Sequence, residues 1–427
     1  MHRTIQFLIL IALALPAIAQ QAPAAPAPTN TLQLDDVVRE VIAHNPALAS
    51  AESAISAQKR RISPAGALPD PNVAVSWMGS AIPFKTQSAD PSSYRGLSVM
   101  QMVPLGGKRE LSRKMARKEV GVFEADRSAV VRRLRADAKA AYYDYFYYAK
   151  ALELTSLNKA RMQQLVETTE SRYRVGKAMQ QDVLRAQLEV SMLIQRSLAL
   201  EQQRQTAAAR LNTLMARAVD APLPPAAEIV RSPLPSMAAL LPVAEANDPM
   251  LLKEQRMVDR NKVAVAMAQK EGIPDLSVGY MYQQRPGMPD MYGMQFTVNL
   301  PIFNKAKRRE QIESARIEVG AREQGRDARR LELSYELKQM FAMATSADQM
   351  LDLYDKGILP QAELTLESVN SSHTVGTTDF NTVVMSFTAI YGYQLDYYRQ
   401  LADRETALAR IEALTGDLGA GATNEAK

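Results

Sequence analysis

From Lys108 to Val175 the chain runs without a proline and with a single glycine, Gly121. Most of these residues are Ala, Leu, Glu, Lys, Arg and Gln, which hold a helix at little cost. A helix of roughly 65 residues rises about 100 Å, several times the diameter of a compact domain. No single globular core can enclose it. Beyond a short break, Lys177 to Arg217 continues the helical pattern, with Val183, Leu184, Leu188, Met192, Leu198, Leu211 and Leu214 reading as one apolar stripe. The break predicts the turn of a very long hairpin. Gly176 stands where a helix C-terminus favours a residue free to take positive φ. Asp182 lies near the start of the returning helix, where a carboxylate suits the dipole.

The plan recurs about 200 residues later. Val175-Gly176 falls on Val375-Gly376, and Val183 on Val383. "RQTAAARLNTLMA" at 204–216 matches "RETALARIEALTG" at 404–416, with Arg204/Arg404, Thr206/Thr406, Arg210/Arg410 and Leu214/Leu414 in register. "HNPALASAE" resembles "NDPMLLKEQ" at a slightly different offset. The second long run, Lys305 to Val375, is interrupted by Gly357 and Pro360. The chain is thus a duplication: a first repeat over 32–219, a Pro-rich joint over 220–236, a second repeat over 237–416 and a disordered tail over 417–427.

Before each long helix the period changes to two. Leu276, Val278, Tyr280 and Tyr282 alternate with Ser277, Gly279, Met281 and Gln283; Met294, Phe296, Val298 and Leu300 alternate with Gln295, Thr297 and Asn299. "PNVAVSWMG" and "YRGLSVMQMVPL" are the counterparts in the first repeat. Strands of about 8–10 residues have the length a tilted strand needs to cross a bilayer. Trp77, Tyr280 and Tyr282 would then mark membrane interfaces. Alternation alone fits equally two hairpins covering the helix ends in water. What tips the reading towards membrane is the length of the helices together with the N-terminus. "MHRT", the apolar run "IQFLILIALALP" and Ala17-Ile18-Ala19 make residues 1–19 an export signal, followed by a Pro/Ala-rich linker over 20–31. After that leader no apolar run is long enough for a transmembrane helix, so integral membrane contact must come through strands. With no cysteine there is no lipid anchor of the bacterial lipoprotein kind.

Composition closes other routes. There is no cysteine, and outside the leader only His44 and His373, which removes thiol nucleophiles, disulfides and Cys/His zinc sites. A formal charge of +5, without a basic stripe interleaved with aromatics, gives no nucleic-acid signature. Four strands cannot close a transmembrane barrel, and open edges are not tolerated in lipid, so a barrel must be shared between protomers. Two copies leave only a side-chain-filled interior; three give twelve strands and room for a lumen.

Two tandem repeats of helix, strand pair, long helix, turn and helix, with "RYRVGKAMQQDVLRAQ" at the hairpin tip, resemble the TolC-type outer-membrane efflux family over roughly residues 32–416. That resemblance implies a mainly α chain with a small membrane β part. It implies a homotrimer that forms an α-barrel across the periplasm and a twelve-stranded β-barrel in outer-membrane lipid of a Gram-negative-type cell. It implies a passive duct without catalytic residues or cofactor, partnered by a periplasmic adaptor and an inner-membrane pump, of which the RND type is the expected kind. The tips Val175, Gly176, Val375 and Gly376, with Asp182, would dock the adaptor. Family members place aspartates just inside the periplasmic mouth at positions that fall here on Thr382 and Met385; the nearest carboxylate is Asp379. These three are the candidate gate, with Asp379 either one member of a charged ring in the trimer or a helix cap. "VPLGGKRELSRKMARKE" resembles the heavy-metal members, and the chain has 21 methionines, whose thioethers can hold Cu(I). Gap filling accounts for methionine equally well, and no metal site is assigned. The alternative class is a periplasmic coiled-coil adaptor or scaffold, which shares the leader and the hairpins but has no need of two symmetric strand pairs.

Overall fold

The computed structural model describes residues 31–79, 85–88, 90–301, 303 and 305–416. The expected leader, the linker before Thr31 and the tail over 417–427 lie outside the described residues. The first repeat opens with α1 (Leu34–His44), α2 (Pro46–Arg60) and the short α3 (Ile62–Ala65), then β1 (Asn72–Met78) and β2 (Tyr94–Val103). It continues with α4 (Lys108–Arg174) and α5 (Gln180–Leu214). The second runs through α6 (Met237–Asn247), α7 (Pro249–Lys270), β3 (Asp275–Gln284), β4 (Met291–Asn299), α8 (Lys305–Leu353), α9 (Leu359–Thr374) and α10 (Phe380–Thr415). The two imperfectly aligned segments noted in the sequence are the joints between the opening helices. Asn45 and Asp248 precede prolines that start α2 and α7, and their side chains accept from Ala47 N and Leu251 N at 3.0 and 2.8 Å.

The 67 residues of α4 form one unbroken helix. Gly121 does not break it, because Arg256 from α7 lies over the gap and donates to the Gly121 carbonyl at 2.9 Å. The corresponding run in the second repeat is broken, as Gly357 and Pro360 suggest, but the chain does not leave the helix. Residues Tyr354–Ile358 widen into one π turn, in which Leu359 N donates to the Tyr354 carbonyl, and α9 follows with Pro360 in its first turn; the widened turn precedes the residue that has no N–H to give the preceding carbonyls.

Along the hairpins α5 packs on α4, α4 on α10, and α10 on α8 and α9. The largest cluster surrounds the level where both repeats begin and end, with Val37, Val41, Tyr142, Tyr145, Leu211, Met215 and Ala409 buried together. The joint over 220–236 is more than a spacer. Tyr142 Oη donates to the carbonyls of Leu32 and Ala227 at 3.0 and 3.3 Å, and Tyr145 Oη to those of Leu223 and Pro224 at 3.2 Å each. Arg404 Nη2 donates to Ser232 O at 2.7 Å. The joint is therefore a belt tied to both hairpins.

Candidate functional site

The two hairpin tips are built alike. In the first, Lys177 N donates to Arg172 O at 2.8 Å and Gly176 N to Tyr173 O at 2.9 Å. In the second, Thr377 N donates to Ser372 O at 3.0 Å and Gly376 N to His373 O at 3.1 Å. This paired closure needs a left-handed residue, and Gly176 and Gly376 supply it at φ 73° and 79°. Val175 and Val375 stand largely exposed beside them. So five designated residues, Val175, Gly176, Asp182, Val375 and Gly376, lie at one end of the molecule.

The returning helices start differently. Asp182 sits in the first turn of α5 and accepts from Met179 N at 3.1 Å, which closes that turn. Its positional counterpart is Thr382. There the carboxylate has moved to Asp379, at the N-cap position of α10, yet its oxygen makes no capping bond to the backbone and instead accepts from the Thr382 hydroxyl. The expected capping role of Asp379 is thus not made: its acceptor is taken by a side chain that also lies on the exposed side. Met385, one turn further, is exposed, and Asn381 Nδ2 lies 3.6 Å from its sulfur. With Ile358, Thr365 and Tyr393, the Thr382 and Met385 side chains line an open groove between α9 and α10.

At the opposite end the four strands form one antiparallel sheet in the order β1-β2-β3-β4. The register assigns every residue to a face. Val73, Val75, Leu97, Val99, Tyr280, Met294, Phe296 and Val298 share one face and are all exposed. The other face carries Ala74, Ser76, Gly96, Ser98, Ser277, Gly279, Gln295 and Thr297, with Met78, Tyr94, Met100, Met102, Met281 and Met291 as its large side chains. Trp77 and Tyr282 lie at the loop end of the apolar face. Tyr282 is joined there by Tyr292, its cross-strand partner, with ring centroids 5.3 Å apart, and its hydroxyl bonds Asp290 at 2.7 Å. Tyr280 lies one row deeper, opposite Val99 and Met294. The aromatic residues at the loop end of this face are therefore Trp77, Tyr282 and Tyr292, and Tyr292 is the member that strict alternation of β3 alone does not reveal.

Two further features escape sequence reasoning. The apolar residues of α5 are not one stripe. Val183, Leu193, Leu200, Leu211 and Leu214 are buried, whereas Leu184, Leu188, Met192 and Leu198 are exposed on another side. Exposed Ile317, Leu331, Tyr335 and Leu364 stand on the helices at the other edge of the hairpin layer. The duplicated arginines have also parted. Arg204 is half-exposed and paired bidentately with Glu201, holding that carboxyl below its usual range. Arg404 is buried against buried Glu405 at 2.5 Å and reaches Asp348 at 2.6 Å. Among the described residues no group of three His, Cys, Asp or Glu side chains is placed to hold a metal ion, and no helix is long and apolar enough to cross a membrane.

A sheet with one apolar exposed face, set on helices of which the longest rises about 100 Å, is the architecture of a membrane-seated protein with a long helical extension. The chain belongs to the outer membrane efflux protein family, whose model matches residues 37–217 and 240–417. Among curated proteins none matches. Solved structures share the fold at low identity. The outer membrane protein VceC from Vibrio cholerae is 17% identical with TM-score 0.74, covering 90% of this chain and 96% of that one. CusC, for which transmembrane channel formation is described, is 13% identical with TM-score 0.77, covering 90% and 92%. The open-state MtrE outer membrane channel of Neisseria gonorrhoeae is 17% identical with TM-score 0.72, covering 90% and 89%. The chain is an outer-membrane efflux channel, and the adaptor or scaffold reading is set aside.

Proposed function

We propose that three copies of this chain make the outer-membrane exit duct of a tripartite efflux system. The carrying observation is the sheet. Its apolar face is exposed on β1, β2 and β4 and half-exposed along much of β3, and β1 and β4 present unpaired edges among the described residues. Lipid tolerates the first and forbids the second. Pairing β4 of one copy with β1 of the next, three times, removes every edge and leaves a lumen lined by the polar face. Trp77, Tyr282 and Tyr292 then stand at the outer interface, and the tips hang in the periplasm.

Six tips, two per protomer, form the periplasmic mouth. Exposed Val175 and Val375 on identical glycine turns suit docking of a periplasmic adaptor, through which an inner-membrane pump, of the RND type in this reading, delivers cargo. Asp379, Thr382 and Met385 act as the gate. The chain itself supplies no chemistry and no cofactor; the pump supplies the energy. Export by a cleaved leader and seating without a lipid anchor complete the reading.

The test is topological. An epitope inserted after Asp90, in the turn joining β1 to β2, should be reachable by antibody on intact cells, and the protein should stay with outer membranes through a carbonate wash as a heat-sensitive trimer. An epitope detected only after lysis inverts or removes the membrane seat. Hypersensitivity of a deletion strain to metals, dyes, detergents and antibiotics then defines the cargo.

A further inference from the structure

The loop end of the sheet has aromatic residues; the helix end has something else. From Leu300 to Arg309 the chain carries four cations, Lys305, Lys307, Arg308 and Arg309, and no carboxylate. Leu300 continues the apolar face one step beyond β4 and is exposed, and Phe303 is 93% exposed. Lys305, Lys307 and Arg309 are exposed and make no ion pair with any described residue. These cations do nothing for the helix they open: positive side chains in the first turn of α8 oppose its dipole, and no acid stands there to balance them. Self-repulsion among four cations within five residues adds to that cost.

We propose that this collar binds the phosphates of anionic phospholipids on the helical side of the membrane. Two observations place the ligand there. The collar begins where the lipid-facing surface ends, so its depth is that of the headgroups. Its charge is complementary and locally unbalanced, with apolar Leu300 and Phe303 directly above to enter the acyl boundary. A lipid fits both halves, acyl chain against the apolar pair and phosphate against the cations. The inference rests on the membrane seat proposed above. Each basic side chain near an anionic surface strengthens binding roughly fivefold, so three act strongly together.

The experiment uses the purified full-length trimer in bilayers of phosphatidylcholine containing a minor share of phosphatidylglycerol, with the lipids retained after detergent extraction measured by mass spectrometry. The wild type should retain phosphatidylglycerol several-fold above its bulk share, and melt higher than in phosphatidylcholine alone. The triple variant Lys305→Gln, Lys307→Gln, Arg309→Gln should retain it at the bulk ratio, whereas Lys305→Arg, Lys307→Arg, Arg309→Lys should keep the enrichment. If the neutral triple does not assemble, salt decides: wild-type enrichment should fade towards 1 M salt, where the Debye length is about 3 Å. Equal retention by wild type and neutral triple, or enrichment indifferent to salt, overturns the proposal. Inorganic phosphate that raises the melting temperature as far as the lipid does also overturns it, in favour of a free-anion site. A trimer that inserts but shows no enrichment overturns this inference alone; a chain that never inserts as a trimer overturns the membrane seat with it.

Discussion

At the scale of single residues, the duplication sets up a controlled comparison. Arg204 and Arg404 occupy one position in two repeats, yet their surroundings differ. Arg204 pairs with Glu201 on its own helix, where both side chains keep contact with water. Arg404 and Glu405 are 4% and 2% exposed, and Glu405 also accepts from Ser232 N at 3.2 Å, so the pair fastens the inter-repeat belt to α10. Removing one member of such a pair leaves a buried charge alone. Arg404→Leu should therefore cost about 3–5 kcal/mol, and Arg204→Leu about 0–1 kcal/mol. Denaturant unfolding of the two variants side by side checks it; equal costs would deny that burial separates the copies. Asp379 poses a different question. Its carboxylate is not bound to the helix backbone, and Thr382 is its partner. In a trimer it repeats three times at the mouth and can focus cations. Asp379→Asn keeps an acceptor for Thr382 and removes the charge. Planar-bilayer recordings should show a loss of cation preference, whereas unchanged selectivity would leave Asp379 a local hydrogen-bond acceptor only.

At the scale of elements, the turns were the most legible part of the fold. A glycine after a helix, followed by polar residues and a renewed helical pattern, specifies a left-handed closure whatever surrounds it, and the two copies check one another. A Cβ placed on Gly176 or Gly376 would meet nothing within 4 Å, so any cost of substitution lies in the backbone and not in a clash. Gly176→Val with Gly376→Val should destabilise each turn by about 1 kcal/mol or more and lower export while the trimer still assembles; wild-type resistance would count against docking at the tips. The strand pairs were legible by alternation, but their faces emerged only from the register, since a period of two does not say which side meets lipid. The single stripe on α5 was misread for a physical reason. A helix that buries one side within its hairpin and exposes another apolar side carries two overlapping periodicities, and a sequence shows their union. The π turn was half legible: Gly357 and Pro360 announce a break, while the continuation of the helix through a widened turn depends on α10 packing beside it. Arg404 gave no sign, because burial of a charge is decided by its neighbours.

At the scale of the whole molecule, two surfaces of the protomer cannot remain as they are in water. One is the apolar face of the sheet. The other is the pair of edges of the helical layer, where Leu188 and Leu198 on α5 and Leu331 and Leu364 on α8 and α9 stand exposed, Leu198 at 69%. Large apolar side chains left exposed along both edges suit an interface. The first is answered by lipid, but the helical edges lie below the membrane and need protein. In the proposed trimer, closing the sheet by rotation would bring the α5 edge of one copy towards the α8 and α9 edge of the next, so a single threefold operation would cover both. The two halves of the assembly can be separated experimentally. Leu188→Glu with Leu198→Glu changes side chains that are mostly exposed in the protomer, and surface changes of that kind normally alter folding by no more than about 0.5 kcal/mol. In the trimer the same carboxylates enter an apolar seam without partners, at a cost of several kcal/mol. The variant should therefore keep the helical circular dichroism of the wild type and lose the heat-sensitive trimer. Leu193→Glu, on the side of α5 buried within the protomer, should instead reduce the stability of the hairpin itself. If the double variant still runs as a trimer, the exposed stripe is not the seam between protomers, and closure must come from the strands alone.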